Sequence, residues 1–394
     1  MELGMLYEFD VPMPWADPHP WGQRKAEQIA YSNCLEQIAL ADTKGFDTVW
    51  LVEHHFREGR SHLPCSDVVL GAISQITENM RLGFGVTLMP HEFIHPARVA
   101  EKVATVDLLS GGRVEWGIGR SSMMEQTAFG VDSAKSKDKM LSATNTVLGM
   151  WNSEYYQENS EHLVFPSRMV TPKPFQFPHP PVWMASSSED SIRLAAQNGF
   201  GVLCFSILQP LEKLAELIST YRNEPRLENP ISSVKNDKVG VYTLVHCVES
   251  RNDFEKNKVW ESVSWRYLKL AEYMLKWEYP HMDRSLQEKV LPLLQKQISG
   301  EIDVTFYDDE DVIVIGTPEE CIEKFMKYEE IGVDQVLSYV NFGYVPQEAI
   351  LKSISLLGDY VIPELKKRGA SRSAAGLESS ISSARETAGE GRST

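Results

Sequence analysis

Apolar positions along the chain fall into two alternating patterns. Short runs rich in β-branched and aromatic residues, of strand length, occur at residues 1–7, 48–52, 81–88, 114–119, 182–185, 201–205, 239–248 and 335–340. Between them lie stretches with apolar residues at helical spacing. Residues 23–44 place Ile29, Cys34, Ile38 and Ala41 on one stripe that Gly45 closes, and 64–77, 97–109, 136–151, 188–198, 211–221, 319–331 and 347–361 read the same way. Gly111-Gly112 and Gly199 supply further stops. Eight strands alternating with helices predict an α/β fold, a (β/α)8 TIM-type barrel over residues 1–365.

Three stretches depart from that alternation. Pro12, Pro14, Pro18 and Pro20 force an irregular loop after the first strand, carrying Trp15 and Trp21, which either line a pocket or pack the loop down. A Pro-rich connection runs through Pro180-Pro181 before the fifth strand. Residues 251–310 are aromatic-rich and largely helical, the main insertion, while residues 366–394 turn to Ser, Gly, Ala and scattered charge and are expected to form a disordered tail.

Composition narrows the class. With 394 residues, 42% of them hydrophobic, the chain can bury a large core, and no apolar run approaches the ~18 residues of a membrane span. A formal charge of -16 argues against nucleic acid or an anionic membrane as partner and favours small neutral or apolar substrates. Five scattered cysteines without a Cys-x-x-Cys pair, and no amino-terminal targeting segment, suit a reduced, cytoplasmic setting.

The candidate chemistry clusters after strands. The run 48–52 delivers Glu53, His54 and His55 to a strand end, which is the active-site face of a parallel barrel. Adjacent histidines on a strand point oppositely, so one of the two faces a given pocket and the other is packed or solvated. His91-Glu92-Phe93-Ile94-His95 matches the zinc-protease pattern, but Pro90 and Pro96 make it a loop, so no metal is expected there. Gly117-Ile118-Gly119 lacks the third glycine of a dinucleotide fingerprint. Ser186-Ser187-Ser188, with Ser191 in the following helical turn, forms either a helix-terminus anion site or an ordinary N-cap; Arg120 and Lys137 are cations placed to meet such an anion.

These residues carry a family resemblance. Residues 45–56, the His95-Pro96-Ala97-Arg98 turn, Ser110-Gly111-Gly112-Arg113, Gly119-Arg120 and Gly316-Thr317-Pro318-Glu319-Glu320-Cys321 resemble the bacterial luciferase-like flavin monooxygenases, over roughly residues 1–363. The resemblance implies a barrel that takes reduced FMN from a separate flavin reductase, reacts it with O2 to a C4a-hydroperoxide and inserts one oxygen into a small organic substrate. It places His54 at the catalytic histidine, and Arg120, Ser187, Ser188 and Ser191 at the FMN phosphate site. Lys137 falls where an arginine is commoner, and Gly119 stands where the luciferase α subunit has a cysteine, so light emission is not implied. Tyr7, Phe9, Trp15 and Trp21 are candidates for excluding water, and a homodimer is expected. Two other readings stand beside this one: a deazaflavin-dependent dehydrogenase on the same barrel, and a non-catalytic flavin-binding partner subunit.

Overall fold

In the computed structural model, which describes residues 1–206, 210–282 and 284–368, the strand-like runs close on themselves. The strands are β1 (Glu2–Tyr7), β2 (Thr48–Leu51), β3 (Arg81–Leu88), β4 (Val114–Gly119), β5 (Val182–Ala185), β6 (Gly201–Phe205), β7 (Val239–Cys247) and β8 (Gln335–Tyr339). Their spatial order is β7-β8-β1-β2-β3-β4-β5-β6, every pair is parallel, and β6 pairs back onto β7 from Val202↔Val239 to Phe205↔Tyr242. That closure makes the expected eight-stranded barrel. Strands covered on both faces can be apolar throughout, which is why they read as nearly continuous hydrophobic runs.

The interior is filled rather than hollow. Trp50 of β2 and Trp183 of β5, with two strands between them, meet edge to face at 5.4 Å across the barrel. Each buried indole N–H has an acceptor: Gln335 Oε1 at 3.0 Å for Trp50 and Glu115 Oε2 at 2.6 Å for Trp183. Arg81 in turn pairs with Glu115, so the interior carboxylate is compensated. Outside, Trp116 packs on Trp151 of the helix Ser136–Asn152.

Several boundaries differ from the sequence reading. The strand β2 ends at Leu51, so Glu53 to His55 lie in the following loop and strand alternation does not set their directions. The first helix begins at Trp21, two residues earlier than expected. An unpredicted short strand, Val314–Gly316, extends the sheet beside the carboxyl end of β7. The connection before β5 contains an antiparallel hairpin, Tyr156–Asn159 with Val164–Arg168, and a short helix, Met123–Phe129, follows β4. Residues 366–368, expected in the tail, instead continue the last helix, and Lys366 Nζ donates to Gly45 O at 3.1 Å. The remainder of the expected tail, 369–394, lies outside the described residues. No helix among the described residues is long and apolar enough to cross a membrane.

The insertion between Cys247 and Val314 consists mainly of the helices Asp253–Lys256, Val259–Tyr273, Arg284–Ser299 and Val304–Asp309. One buried side chain of the insertion reaches over the strand ends. Arg266, 2% exposed, donates to Glu8 Oε1 at 2.8 Å and Oε2 at 3.2 Å and lies 3.5 Å from Asp10, just beyond β1. Its guanidinium also sits 4.5 Å over the ring of Tyr339, whose hydroxyl donates to Asp10 at 2.7 Å. Removing one member of a buried ion pair leaves an uncompensated charge. Arg266→Met is therefore expected to lower unfolding free energy by about 3 kcal/mol, the low end of that range because Arg60 also contacts Glu8. An unchanged urea midpoint would show that Arg60 alone compensates Glu8.

Candidate active site

The loop after β2 and the short helix after β4 build the centre. Ser122-Met123-Met124-Glu125 forms a capping box at the start of Met123–Phe129, which fixes the Glu125 side chain against the turn before the helix. Glu125 Oε2 accepts from Ser121 Oγ at 2.6 Å, Ser122 Oγ at 2.5 Å and Ser122 N at 3.3 Å. The other oxygen accepts the backbone N–H of His55 at 2.7 Å and meets His54 Nδ1 at 3.0 Å. Arg57 lies 3.5 Å from Oε2. His54, Arg57 and these donors hold the buried carboxyl far below the usual carboxylate range, against the cost of burial.

That ionised carboxylate decides the state of His54. A carboxylate only accepts, so Nδ1 carries the proton and Nε2 keeps its lone pair. Burial, helped by nearby Arg57, pushes the imidazole pKa down and outweighs the pull of Glu125, so the ring is neutral near pH 7. The His54 side chain remains 18% exposed. A neutral imidazole of fixed tautomer with one accessible basic nitrogen is equipped to take up and return a proton.

His55 is turned elsewhere. Its ring packs at 5.0 Å from Phe129 and 5.8 Å from Phe56, in an aromatic rim that Phe93 extends. The insertion closes the other side of the Glu125 network. Arg57 stacks 4.5 Å over Tyr273, the Tyr273 hydroxyl donates to Ser122 Oγ at 2.6 Å, and Glu278 Oε1 accepts Met123 N–H at 3.0 Å. Glu278 ends a π-helical turn, marked by the Tyr279 N–H to Met274 O bond, that swings its carboxyl toward the short helix.

The expected phosphate residues occupy neighbouring positions. The pairing of β4 with β5, Ile118↔Met184, brings Arg120 and Ser186 to adjacent strand ends. Arg120 Nη1 donates to Ser136 Oγ at 3.2 Å, which puts its guanidinium beside the helix start that carries Lys137. Among the described residues neither cation has a carboxylate partner, so both are free to meet an anion. Ser188 and Ser191 form a reciprocal cap on Glu189–Gln197, with Ser188 Oγ accepting Ser191 N–H at 3.4 Å, and Ser187 is exposed beside them. Both earlier readings of the serines are thus compatible with one structure. Glu189 in that first turn pairs with Arg193 at 2.7 Å, which offsets its charge. Together these donors fit a phosphate monoester.

Other candidates are committed elsewhere. Residues 91–95 form a turn, as expected; His95 Nδ1 accepts Ala97 N–H at 3.1 Å as a helix cap, and His91 Nδ1 lies 2.9 Å from His162 O. Trp21 is 64% exposed and carries Arg24 over its ring, so it does not wall a dry pocket, whereas Tyr7 and Phe9 are fully buried. Trp15 donates to Val11 O at 3.0 Å and packs on His62, which is the loop-packing alternative. At Gly119 a Cβ would fall 2.4 Å from Val86 Cγ2, so a cysteine there would require the Val86 side chain to move. Sequence reasoning missed Glu125 and Arg57. Ser122-x-x-Glu125 carries the capping-box signature, and that was the available signal.

Residues 13–335 match the model of the luciferase-like monooxygenase family. The chain belongs to the luciferase-like monooxygenases. It is 23% identical, over 81% of its length and 86% of the relative's, to the oxygenase component of the flavin-dependent trigonelline monooxygenase of Acinetobacter baylyi. The oxygenating constituent of 3,6-diketocamphane monooxygenase from Pseudomonas putida, a type II Baeyer–Villiger enzyme solved with FMN, superposes with TM-score 0.68 at 18% identity, covering 92% of this chain and 98% of that one. An F420-dependent secondary alcohol dehydrogenase superposes with TM-score 0.67 at 17% identity, covering 92% and 98%.

This luciferase-like chain holds His54 neutral, and burial also takes His246 down to about 4. The unfolded chain binds protons at these sites near the ordinary value of ~6.5, whereas the folded chain resists. Their contribution to stability is therefore fully present above about pH 6.5 and is lost as pH falls toward 4. Urea midpoints measured from pH 7.5 to 4.5 should fall more steeply in wild type than in His246→Asn; parallel curves would place the acid sensitivity elsewhere.

Proposed function

We propose that this protein is the oxygenase of a two-component system, using reduced FMN and O2 to oxygenate a small apolar or aromatic organic substrate by hydroxylation or Baeyer–Villiger insertion. The observation that carries the reading is His54. It is a neutral base with its tautomer locked by Glu125, at the strand-end face, with two cations that lack a carboxylate partner among the described residues and a serine-capped helix nearby for a phosphate. Reduced flavin, when bound, supplies the electrons that activate O2.

The protein's own residues have three tasks. Arg120, Lys137, Ser187, Ser188 and Ser191 hold the FMN phosphate. His54 Nε2 takes a proton from substrate or flavin and returns it after oxygen transfer, while Glu125 stabilises the imidazolium that forms meanwhile. The insertion, tied down through Arg57, Tyr273 and Glu278, keeps bulk water from the centre. A flavin reductase serves as transient partner. Exposed Val68, Ile76, Leu108 and Leu109 on the adjacent helices Ser66–Ile76 and Pro96–Leu109 offer an apolar face for a homodimer.

A deazaflavin-dependent hydride transfer is the second reading, supported by the F420-dependent structural neighbour. Oxygen consumption separates the two, because hydride transfer needs none. A non-catalytic flavin-binding subunit is disfavoured by the intact His54–Glu125 pair.

His54→Ala is expected to bind reduced FMN yet release most of the oxygen as H2O2, because a positioned proton-transfer group is worth roughly 10²- to 10⁴-fold in rate. His55→Ala should act through folding or flavin affinity instead. Product formed per reduced FMN consumed is the measurement, and wild-type coupling in His54→Ala would overturn the role.

Arg120→Ala should weaken FMN by roughly 1.5 to 3 kcal/mol, the scale of a hydrogen bond to a charged group, and leave riboflavin affinity almost unchanged. Equal losses for the two ligands, read by fluorescence titration, would place Arg120 away from the phosphate.

A further inference from the structure

A second cluster of charges lies beside His54. Arg60, in the turn closed by the Arg57–Ser61 bridge, and Arg266, from the insertion, contact the Glu8 carboxylate, Arg60 Nη2 at 3.3 Å and Arg266 Nη2 at 2.8 Å. Both guanidiniums are more than nine-tenths buried. Among the described residues, however, Arg60 Nε and Nη1 and Arg266 Nε have no hydrogen-bond partner. Buried guanidinium N–H groups without acceptors are costly and uncommon, and each calls for an acceptor.

The local charge gives the sign of that acceptor. Arg57, Arg60 and Arg266 face Glu8, Asp10 and Glu125, but burial pushes Asp10 up to about 7, so its carboxyl is only partly ionised at neutral pH. The arginines repel one another, and the Arg60 pKa is drawn down by burial and by Arg266. Arg60 and Arg266 thus share the single Glu8 carboxylate.

The walls around this arginine pair are aromatic. Tyr242 of β7 accepts from Arg266 Nη2 at 3.4 Å, and Phe205, its register partner on β6, packs 6.4 Å away with 36% of its surface exposed. Tyr242 itself is partly exposed. Both belong to the alternation that faces the barrel interior, because Gly240 on β7 and Leu203 on β6 lie against Trp183 or one another there. Accessible aromatic surface therefore borders the arginine pair at the strand ends.

We infer that the substrate carries a carboxylate, which the Arg60–Arg266 pair receives while its apolar body lies against Phe205 and Tyr242. The inference deepens the oxygenase reading by naming the substrate class, rests on that reading for the word substrate alone, and replaces the neutral substrate favoured by the overall charge of -16, because the nearby guanidiniums rather than the net charge set the sign a site prefers. A carboxylate offers up to four lone-pair sites and is the natural complement of a guanidinium fork. Anchoring it beside Glu8 leaves the rest of a small molecule within reach of His54.

The test is calorimetric titration of the full-length protein with benzoate and with benzamide, which have nearly the same shape and different charge. Benzoate should bind saturably and benzamide about ten- to a hundredfold more weakly, the range expected for hydrogen bonds to a charged group. Arg60→Gln should remove that preference, and Arg60→Lys should restore part of it. The wild-type comparison needs no variant, so it stands even if Arg60→Gln fails to fold. Equal binding of the two probes, no saturable benzoate binding below roughly 10 mM, an unchanged preference in folded Arg60→Gln, or competitive displacement of benzoate by FMN would each overturn the inference. Since no flavin turnover enters the titration, its failure and a failure to oxygenate are separate results.

Discussion

The buried carboxylate of Glu125 is the constraint on which the centre depends. It is a fully enclosed negative charge, a costly thing to place in protein, and it is tolerated because five donors and one cation converge on it. Each of those donors comes from a segment whose position matters. The His55 backbone and the His54 ring belong to the loop after β2, the serines to the turn after β4, and Arg57 to the turn that leads on to Arg60. One charge thereby fixes the relative placement of two strand ends that share no direct pairing. The His54 tautomer follows from the same arrangement.

Electrostatics is distributed along the barrel in two different ways. At the amino-terminal ends of the strands a depression of about 530 Å³ is lined by Glu2, Asp47, Arg222, Lys238, Asp334 and Lys366. Those charges pair off with one another, Lys238 with Glu2, Arg222 with Asp334 and Lys366 with Asp47. At the opposite ends, among the described residues, Arg120 and Lys137 near the serine cap have no carboxylate partner, and Arg60 Nε and Nη1 and Arg266 Nε have no acceptor. Satisfied charge marks the face that holds the barrel together. Unsatisfied donors collect at the opposite face.

The barrel was legible in the sequence because its strands are buried on both sides, and unbroken apolar runs such as those of β5 and β6 stand out against amphipathic helices. His54 stood out as a candidate for a related reason, since ionisable residues directly after such a run are conspicuous. What the sequence did not reveal was the partnership between distant loops. Glu125 lies 71 residues from His54, and Arg266 lies 258 from Glu8, and nothing in local periodicity announces such pairs. Glu8 and Asp10 follow β1 as directly as His54 follows β2, so the rule that singled out the histidine applied to them equally. The strand Val314–Gly316 was missed because it adds to one already counted, and the end of β2 was misplaced because Val52 still donates to Tyr7 O after the ladder has ended.

The insertion touches the barrel through charge at two separate places, Arg266 on Glu8 and Asp10, and Glu278 with Tyr273 on the helix after β4. It cannot be treated as an interchangeable cap. A chimaera that exchanged residues 251–310 for the corresponding segment of a relative would strand Glu8 beneath a foreign helix unless residues 8, 10, 57 and 60 travelled with it. The insertion and the loops after β1, β2 and β4 are thus coupled through buried charge, and divergence in one requires compensating change in the others.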